Sequence, residues 1–254
     1  MTSIKESRPY ILSLAGFDPS AGAGVLADVK CFEQHEVYGF GVCTALTVQT
    51  DSDFIKNDWL DATQIIDQLA PLLTKFPVTA CKIGLIKDIP VLLEVMAYIK
   101  LYAPTMKIVL DPVLKASSGY GFHDWEDSLK MLSPALSQID LITPNYPEML
   151  SMGGKAEVHA AATTWATHCP VLLKGGHQQA NMGTDYLFEY DIVHELKPGV
   201  SEIQQKHGSG CVLSASVTAY LAKGFTLLNA CTLAKQYIEQ FLNSNNTLLG
   251  YHKL

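Results

Sequence analysis

The chain has 254 residues, 48% of them hydrophobic and 17% charged, with a formal net charge of -7. That composition suits one globular domain spanning 1–254, with enough apolar material to bury a sheet on both faces. The negative balance argues against nucleic acid or an anionic membrane as a main partner, although backbone dipoles and a single lysine still suffice for phosphate.

The six cysteines at 31, 43, 81, 169, 211 and 231 form no Cys-x-x-Cys pair, so neither a zinc site nor a disulfide framework is expected. A reducing cytoplasm is the natural setting. Residues 1–9 lack the apolar run of a signal peptide, and no apolar stretch is long enough to span a bilayer.

Residues 10–15 read as a buried first strand ended by Gly16, and small residues fill the loop 17–24 before a helical pattern over 25–36. Such a loop lets backbone approach a ligand closely, but its glycine spacing is wrong for a dinucleotide fingerprint, and a plain tight turn reads as well. A second strand lies within 37–49 and ends on Gln49; open parallel sheets place their ligands at such ends. Residues 61–73 are helical with Asp61 as N-cap. A strand at 80–86, a helix at 89–102 and a short apolar strand at 107–110 follow, the last ending on Asp111-Pro112-Val113.

The stretch 114–127, with Ser117, Ser118, Gly119 and Gly121, reads as a loop near a site. A brief strand at 141–143 stops at Pro144, and Asn145 and Glu148 enter a short helix. Helix 158–168 precedes strand 171–174, closed by Gly175-Gly176. Two strands about the turn at Tyr190-Asp191 suggest an antiparallel hairpin. His207-Gly208-Ser209-Gly210-Cys211 then runs into the first of two helices, 212–221 and 227–242.

Alternating strands and helices predict a mostly parallel sheet covered on both faces. Right-handed crossovers put the strand C-termini on one edge, gathering Gln49, Asp111, Asn145 and Lys174 there. Asp111 and Glu148 can hold Mg²⁺ largely through water, with Asn145 orienting those waters or a phosphate oxygen. Each also has an ordinary reading: Asp111 as a turn cap, Glu148 as a first-turn carboxylate, Lys174 as a surface lysine. The glycine turn 208–210 suits an anion at a helix N-terminus, and the same field favours a Cys211 thiolate. It reads equally as a helix cap followed by a small buried hydrophobe. No Gly-x-x-x-x-Gly-Lys-Ser/Thr loop is present, which excludes a P-loop enzyme.

Seven segments together resemble the hydroxymethylpyrimidine/phosphomethylpyrimidine kinases of thiamine biosynthesis, in the ribokinase-like superfamily. They are 15–24 with 27–30, 44–49, Lys82-Ile83-Gly84, Asp111-Pro112-Val113, Thr143-Pro144-Asn145 with Pro147-Glu148, Lys174-Gly175-Gly176-His177, and 207–211. The resemblance implies a three-layer α/β/α sandwich with a mostly parallel central sheet. It also implies ATP- and Mg²⁺-dependent phosphorylation of 4-amino-5-hydroxymethyl-2-methylpyrimidine, with its monophosphate as a second acceptor.

By the same resemblance Cys211, Gly208, Ser209 and Gly210 carry catalysis, and Gln49, Gly16, Asp28 and Val113 meet the substrate. Asn145, Lys174 and Gly176 meet ATP or its phosphates, and Asp111 and Glu148 the metal. Cys211 occupies the place where most of the superfamily has an aspartate base. A homodimer is the implied assembly. Phe17 replaces a small hydroxyl residue, Ala21 a glycine, and Ser117 a lysine found in some relatives; 250–254 lacks their glycine- and histidine-rich ending. Pyridoxal kinase is the alternative activity, and an inactive pyrimidine-binding regulator the alternative of another class.

Overall fold

The computed structural model describes residues 7–116, 119–122, 128–154, 156–177 and 182–253. Ser117 and Ser118, with the rest of the 114–127 loop at 123–127, lie outside them.

A strand β1 (Tyr10–Phe17), buried along most of its length, is followed by α1 (Gly24–Gln34) and β2 (Tyr38–Gln49). Next come β3 (Phe54–Trp59), α2 (Ala62–Lys75), β4 (Val78–Ile83), α3 (Ile89–Tyr102) and β5 (Lys107–Leu110). The second half holds α4 (Ser128–Leu136), β6 (Leu141–Ile142), α5 (Tyr146–Met152), α6 (Val158–Ala166) and β7 (Val171–Leu173). It closes with β8 (Asp185–Glu189), β9 (Ile192–Leu196), α7 (Ser209–Ala222) and α8 (Leu227–Leu242).

The nine strands among the described residues form one sheet in the order β3-β2-β1-β4-β5-β6-β7-β8-β9. The six strands from β2 to β7 pair in parallel, and only β3, β8 and β9 run antiparallel to their neighbours. One face is covered by α2 to α6 through Ile65, Leu92, Leu132, Met149 and Trp165. The other is covered by α1, α7 and α8 through Phe32, Val217 and Phe241. The expected three-layer sandwich is therefore present. β2 and β4 flank β1 on opposite sides, so the crossovers diverge there and open a crevice at the C-terminal end of β1.

Local chemistry explains most boundaries. Asp61 caps α2, accepting from the Gln64 N–H while the Gln64 side chain returns to the Asp61 N–H. β4 ends at Ile83 rather than running to 86, although the Gly84 N–H still reaches the Leu14 carbonyl of β1 at 2.8 Å. α7 starts at Ser209, so Ser209, Gly210 and Cys211 form its first turn rather than preceding it. Two elements carried no readable pattern. β3 pairs only at the sheet edge and presents Ile55, Lys56 and Asp58 outward, and α4 has Pro134 inside it.

The loop after β1 is held by tight backbone contacts. Gly24 has φ +61, and a Cβ there would lie 2.1 Å from the Gly16 carbonyl oxygen; at Gly208, φ +71, a Cβ would lie 2.1 Å from the Gly22 oxygen. No other residue fits either position. Ala21 sits at φ +56 in the same left-handed region, where a Cβ is disfavoured by about 1–2 kcal/mol. Ala21→Gly should therefore stabilise the chain by about 1 kcal/mol, part of the relief being lost to the more flexible unfolded state. Urea denaturation of both proteins checks the sign; an unchanged or lower midpoint would contradict it.

Candidate active site

At the crevice beside β1 the N-termini of α1 and α7 meet. Gly208 caps α7 in the left-handed conformation with no side-chain hydrogen bond, so the amides of the first turn keep their open, positively polarised end. Cys211 is half-buried in that turn, near the Gly24 N–H at the start of α1. The thiol departs from expectation. Burial is the largest influence and pushes it up to about 11, against the downward pulls of the Lys82 ammonium and the Gly24 N–H. The helix field does not by itself yield a resting thiolate.

Beside the turn lies a buried charge cluster. Asp111 follows β5 and accepts from Lys174 Nζ at 2.7 Å and Thr143 Oγ1 at 3.0 Å through one oxygen, and from Ser214 Oγ at 2.9 Å through the other. Burial raises its carboxyl, but Lys174 and Lys82 outweigh that and hold it below the ordinary range. Lys174 Nζ also lies 3.9 Å from Glu148 Oε2, and a Cβ on Gly210 would stand 3.2 Å from the same ammonium. The lysine thus links the two carboxylates to the glycine turn and is no surface residue.

Glu148 and Asn145 cap α5 reciprocally: Asn145 Oδ1 accepts from the Glu148 N–H at 2.9 Å, and Glu148 Oε2 accepts from the Asn145 N–H at 2.7 Å. The ordinary reading of Glu148 is correct without displacing it from the cluster. Burial first, with Asp111 adding to it, pushes Glu148 up to about 7, against the opposing pull of Lys174.

Asp28, assigned to the substrate from the resemblance, has a different neighbourhood. It is 0% exposed, with Lys82 Nζ at 2.6 and 2.8 Å and Ser13 Oγ at 2.6 Å. Ser13 and Lys82 are direct partners across β1 and β4, so Asp28 reaches down from α1 to hold both. These partners hold the carboxylate beneath the site, where it favours the charged form of Lys82. A lysine inside the otherwise apolar run 80–86 was the signal for this pair.

On the substrate side, Gln49 Nε2 donates to Thr47 Oγ1 at 2.9 Å, and Thr47 donates to the Phe17 carbonyl at 2.8 Å. The Phe17 ring itself is exposed. Val113 folds back at the end of β5, its N–H on the Asp111 carbonyl, and Gly16 lies against Leu85 and Thr47. Gly176 is exposed in a 3₁₀ turn (Gly175–His177) anchored by the Gly175 N–H on Asp185, itself paired with Lys235. His207, named in the glycine turn without a role, is buried against Asp18 at 2.9 Å. Among the described residues no group of three His, Cys, Asp or Glu side chains could hold a metal, which leaves Asp111 and Glu148 as the candidate pair. No helix among them is long and apolar enough to cross a membrane.

A family model described as phosphomethylpyrimidine kinase matches residues 18–253. The hydroxymethylpyrimidine/phosphomethylpyrimidine kinase of Rhizobium meliloti (strain 1021) is 31% identical, over 93% of this chain and 91% of its own. That of Aquifex aeolicus (strain VF5) is 32% identical, over 94% and 97%. The crystal structure of phosphomethylpyrimidine kinase from Clostridium difficile 630 superposes with a TM-score of 0.75 at 30% identity, over 91% of this chain and 98% of that one. The ADP complex of Bacillus subtilis pyridoxal kinase gives a TM-score of 0.78 at 27% identity, over 91% and 90%. The fold is ribokinase-like.

Glu148 makes stability depend on pH with a definite sign. Its carboxyl moves from an ordinary 4.5 to about 7 in the folded chain, so the folded state keeps its proton while the unfolded state releases it. Stability should fall as pH rises from about 4.5 to 7, by at most about 3 kcal/mol from this group. In metal-free buffer Glu148→Gln should remove that fall. Urea midpoints across the range check it, and parallel pH curves for the two proteins would refute it.

Proposed function

The chain belongs to the phosphomethylpyrimidine kinase family, and we propose that its site transfers the terminal phosphoryl group of ATP to the hydroxymethyl oxygen of 4-amino-5-hydroxymethyl-2-methylpyrimidine, in thiamine biosynthesis. The observation that carries this reading is Lys174, which joins Asp111 and Glu148 to the open N-terminus of α7. Phosphoryl transfer needs positioning and positive charge around the moving group more than covalent chemistry. The α7 amides and Lys174 supply both.

In the reaction a bond forms from the hydroxymethyl oxygen to the γ-phosphorus and the bond to ADP breaks, while the alcohol loses its proton. Cys211, at the turn, is the residue to receive or orient that proton; Lys82 and the Gly24 N–H favour its thiolate. Gln49 supports an aminopyrimidine, since an amide donates to a ring nitrogen and accepts from the neighbouring amine at once. Asp111 and Glu148 fit Mg²⁺ by their donor chemistry, because two carboxylates already share one cation, and Mg²⁺ keeps most of its ligands as water. The ion would neutralise charge on the donor phosphates. The monophosphate is a second proposed acceptor, and a cytoplasmic homodimer the proposed form.

Pyridoxal is the competing acceptor, because the pyridoxal kinase of Bacillus subtilis shares the fold at 27% identity. One assay separates the readings: ADP release by the purified protein with the pyrimidine alcohol, its monophosphate and pyridoxal. Turnover of the pyrimidine alcohol is expected. Exclusive use of pyridoxal would overturn the substrate, and binding without ADP release would leave a regulator.

Cys211→Ala should lower kcat by about 10²–10⁴, the range for a lost general base, with KM little changed. Steady-state kinetics check it. Unaltered turnover would reduce Cys211 to a neighbour of the helix cap.

A further inference from the structure

The imidazole of His207 is 6% exposed, and its two nitrogens are treated differently. Nε2 lies 2.9 Å from Asp18 Oδ2. Asp18 also accepts from the Ser20 N–H and Oγ and the Ala23 N–H at 2.8–2.9 Å. Burial raises the Asp18 carboxyl, but His207 and these bonds outweigh it and hold the group below its ordinary range, so it is a carboxylate and can only accept. Nε2 therefore carries the hydrogen. The ring packs closely on Gly22, where a Cβ would come within 2.5 Å of it, and the His207 N–H is tied to the Leu248 carbonyl at 2.9 Å.

With Nε2–H committed to Asp18, Nδ1 is the ring atom left over, and in the Nε2–H tautomer it is an acceptor. Nδ1 is buried and has no hydrogen-bond partner. A bare buried acceptor is unfavourable in a folded protein and points to a missing partner. His207 lines one narrow cleft with Gln49, Asp51, Asp53 and Ala116. Gln49 is oriented too. Thr47 Oγ1, whose own hydrogen goes to the Phe17 carbonyl, takes one hydrogen from Gln49 Nε2, leaving the other hydrogen and Oε1 for a ligand.

We propose that His207 Nδ1 accepts a hydrogen bond from the exocyclic amine of the substrate, opposite Gln49. This rests on the aminopyrimidine reading above. An aromatic amine beside a ring nitrogen carries two hydrogens. The one facing the ring nitrogen pairs with Gln49 Oε1, and the other faces the adjacent hydroxymethyl carbon. Capturing that outer hydrogen locks the ring against rotation in its plane. It also sets the hydroxymethyl group beside the chain that leads, four residues on, to Cys211. A ring bearing an ionised hydroxyl has no hydrogen to offer at that place and leaves Nδ1 bare. Asp18 is then a positioning residue, fixing which nitrogen of His207 accepts.

His207→Gln tests this, since an amide nitrogen there reproduces Nε2 toward Asp18 and removes Nδ1. Calorimetric binding of the pyrimidine alcohol should weaken tenfold or more, the usual effect of leaving one buried polar group unpaired. Binding of the analogue with hydrogen in place of the amine should change less than twofold. Equal affinity of the folded variant and the natural protein for the alcohol would overturn the proposal, as would a fall in kcat at unchanged affinity, which would place the ring on the hydroxymethyl oxygen. Nitrogen NMR of the natural protein gives a readout that needs no variant. On adding the alcohol the His207 Nδ1 resonance should move while Nε2 stays; no movement, with the alcohol bound, would also overturn it. Failure of the natural protein to bind any aminopyrimidine would instead remove the substrate reading, and this contact with it.

Discussion

Two buried lysines allow three buried carboxylates to coexist along one edge of the sheet. Lys82 is matched by Asp28, and Lys174 is shared by Asp111 and Glu148. An isolated charge in such a place is unfavourable by several kcal/mol, and removing one partner of a buried pair typically destabilises by about 3–5 kcal/mol. The cluster has three negative and two positive groups, and Glu148 adjusts by holding its proton up to about 7.

The backbone supplies the remaining positive potential. The α1 and α7 N-termini come together because Gly208 lets its backbone touch that of Gly22, while Gly24 folds the loop back onto Gly16. Both helices lie on the same face of the sheet, α7 packing on β4 and β5, and both aim their first turns at the crevice where the strand order reverses. Fold and chemistry share one cause: the crossover pattern that buries the sheet also brings dipoles, lysines and carboxylates to its C-terminal edge.

Much of this was legible in the sequence because strand ends are local features. Gln49, Asp111, Asn145 and Lys174 each follow an apolar run, and parallel topology makes such ends neighbours. Pairings set by distant segments were not legible. Asp28 lies 54 residues from Lys82, and Asp18 lies 189 from His207. No spacing rule reveals either contact, although a lysine within an apolar strand hinted at the first. The two readings of Cys211 stayed open for a related reason: the helix field is visible in a sequence, whereas the burial that opposes it depends on the packing around the turn. β3 escaped notice because an edge strand needs no apolar alternation, and α4 because of Pro134.

The two helical layers also differ in how they are assembled in time. The layer of α2 to α6 comes from consecutive chain, whereas the other joins α1 from one end to α7 and α8 from the other. Beside the part that α1 covers, the strand faces that carry Ala80 and Val109 gain their α7 and α8 cover only from the last fifth of the chain. Until then the nascent protein presents a broad greasy surface of the kind chaperones grip. The contact of Asp18 with His207 joins residues 189 apart, so it cannot form before that last part of the chain is made.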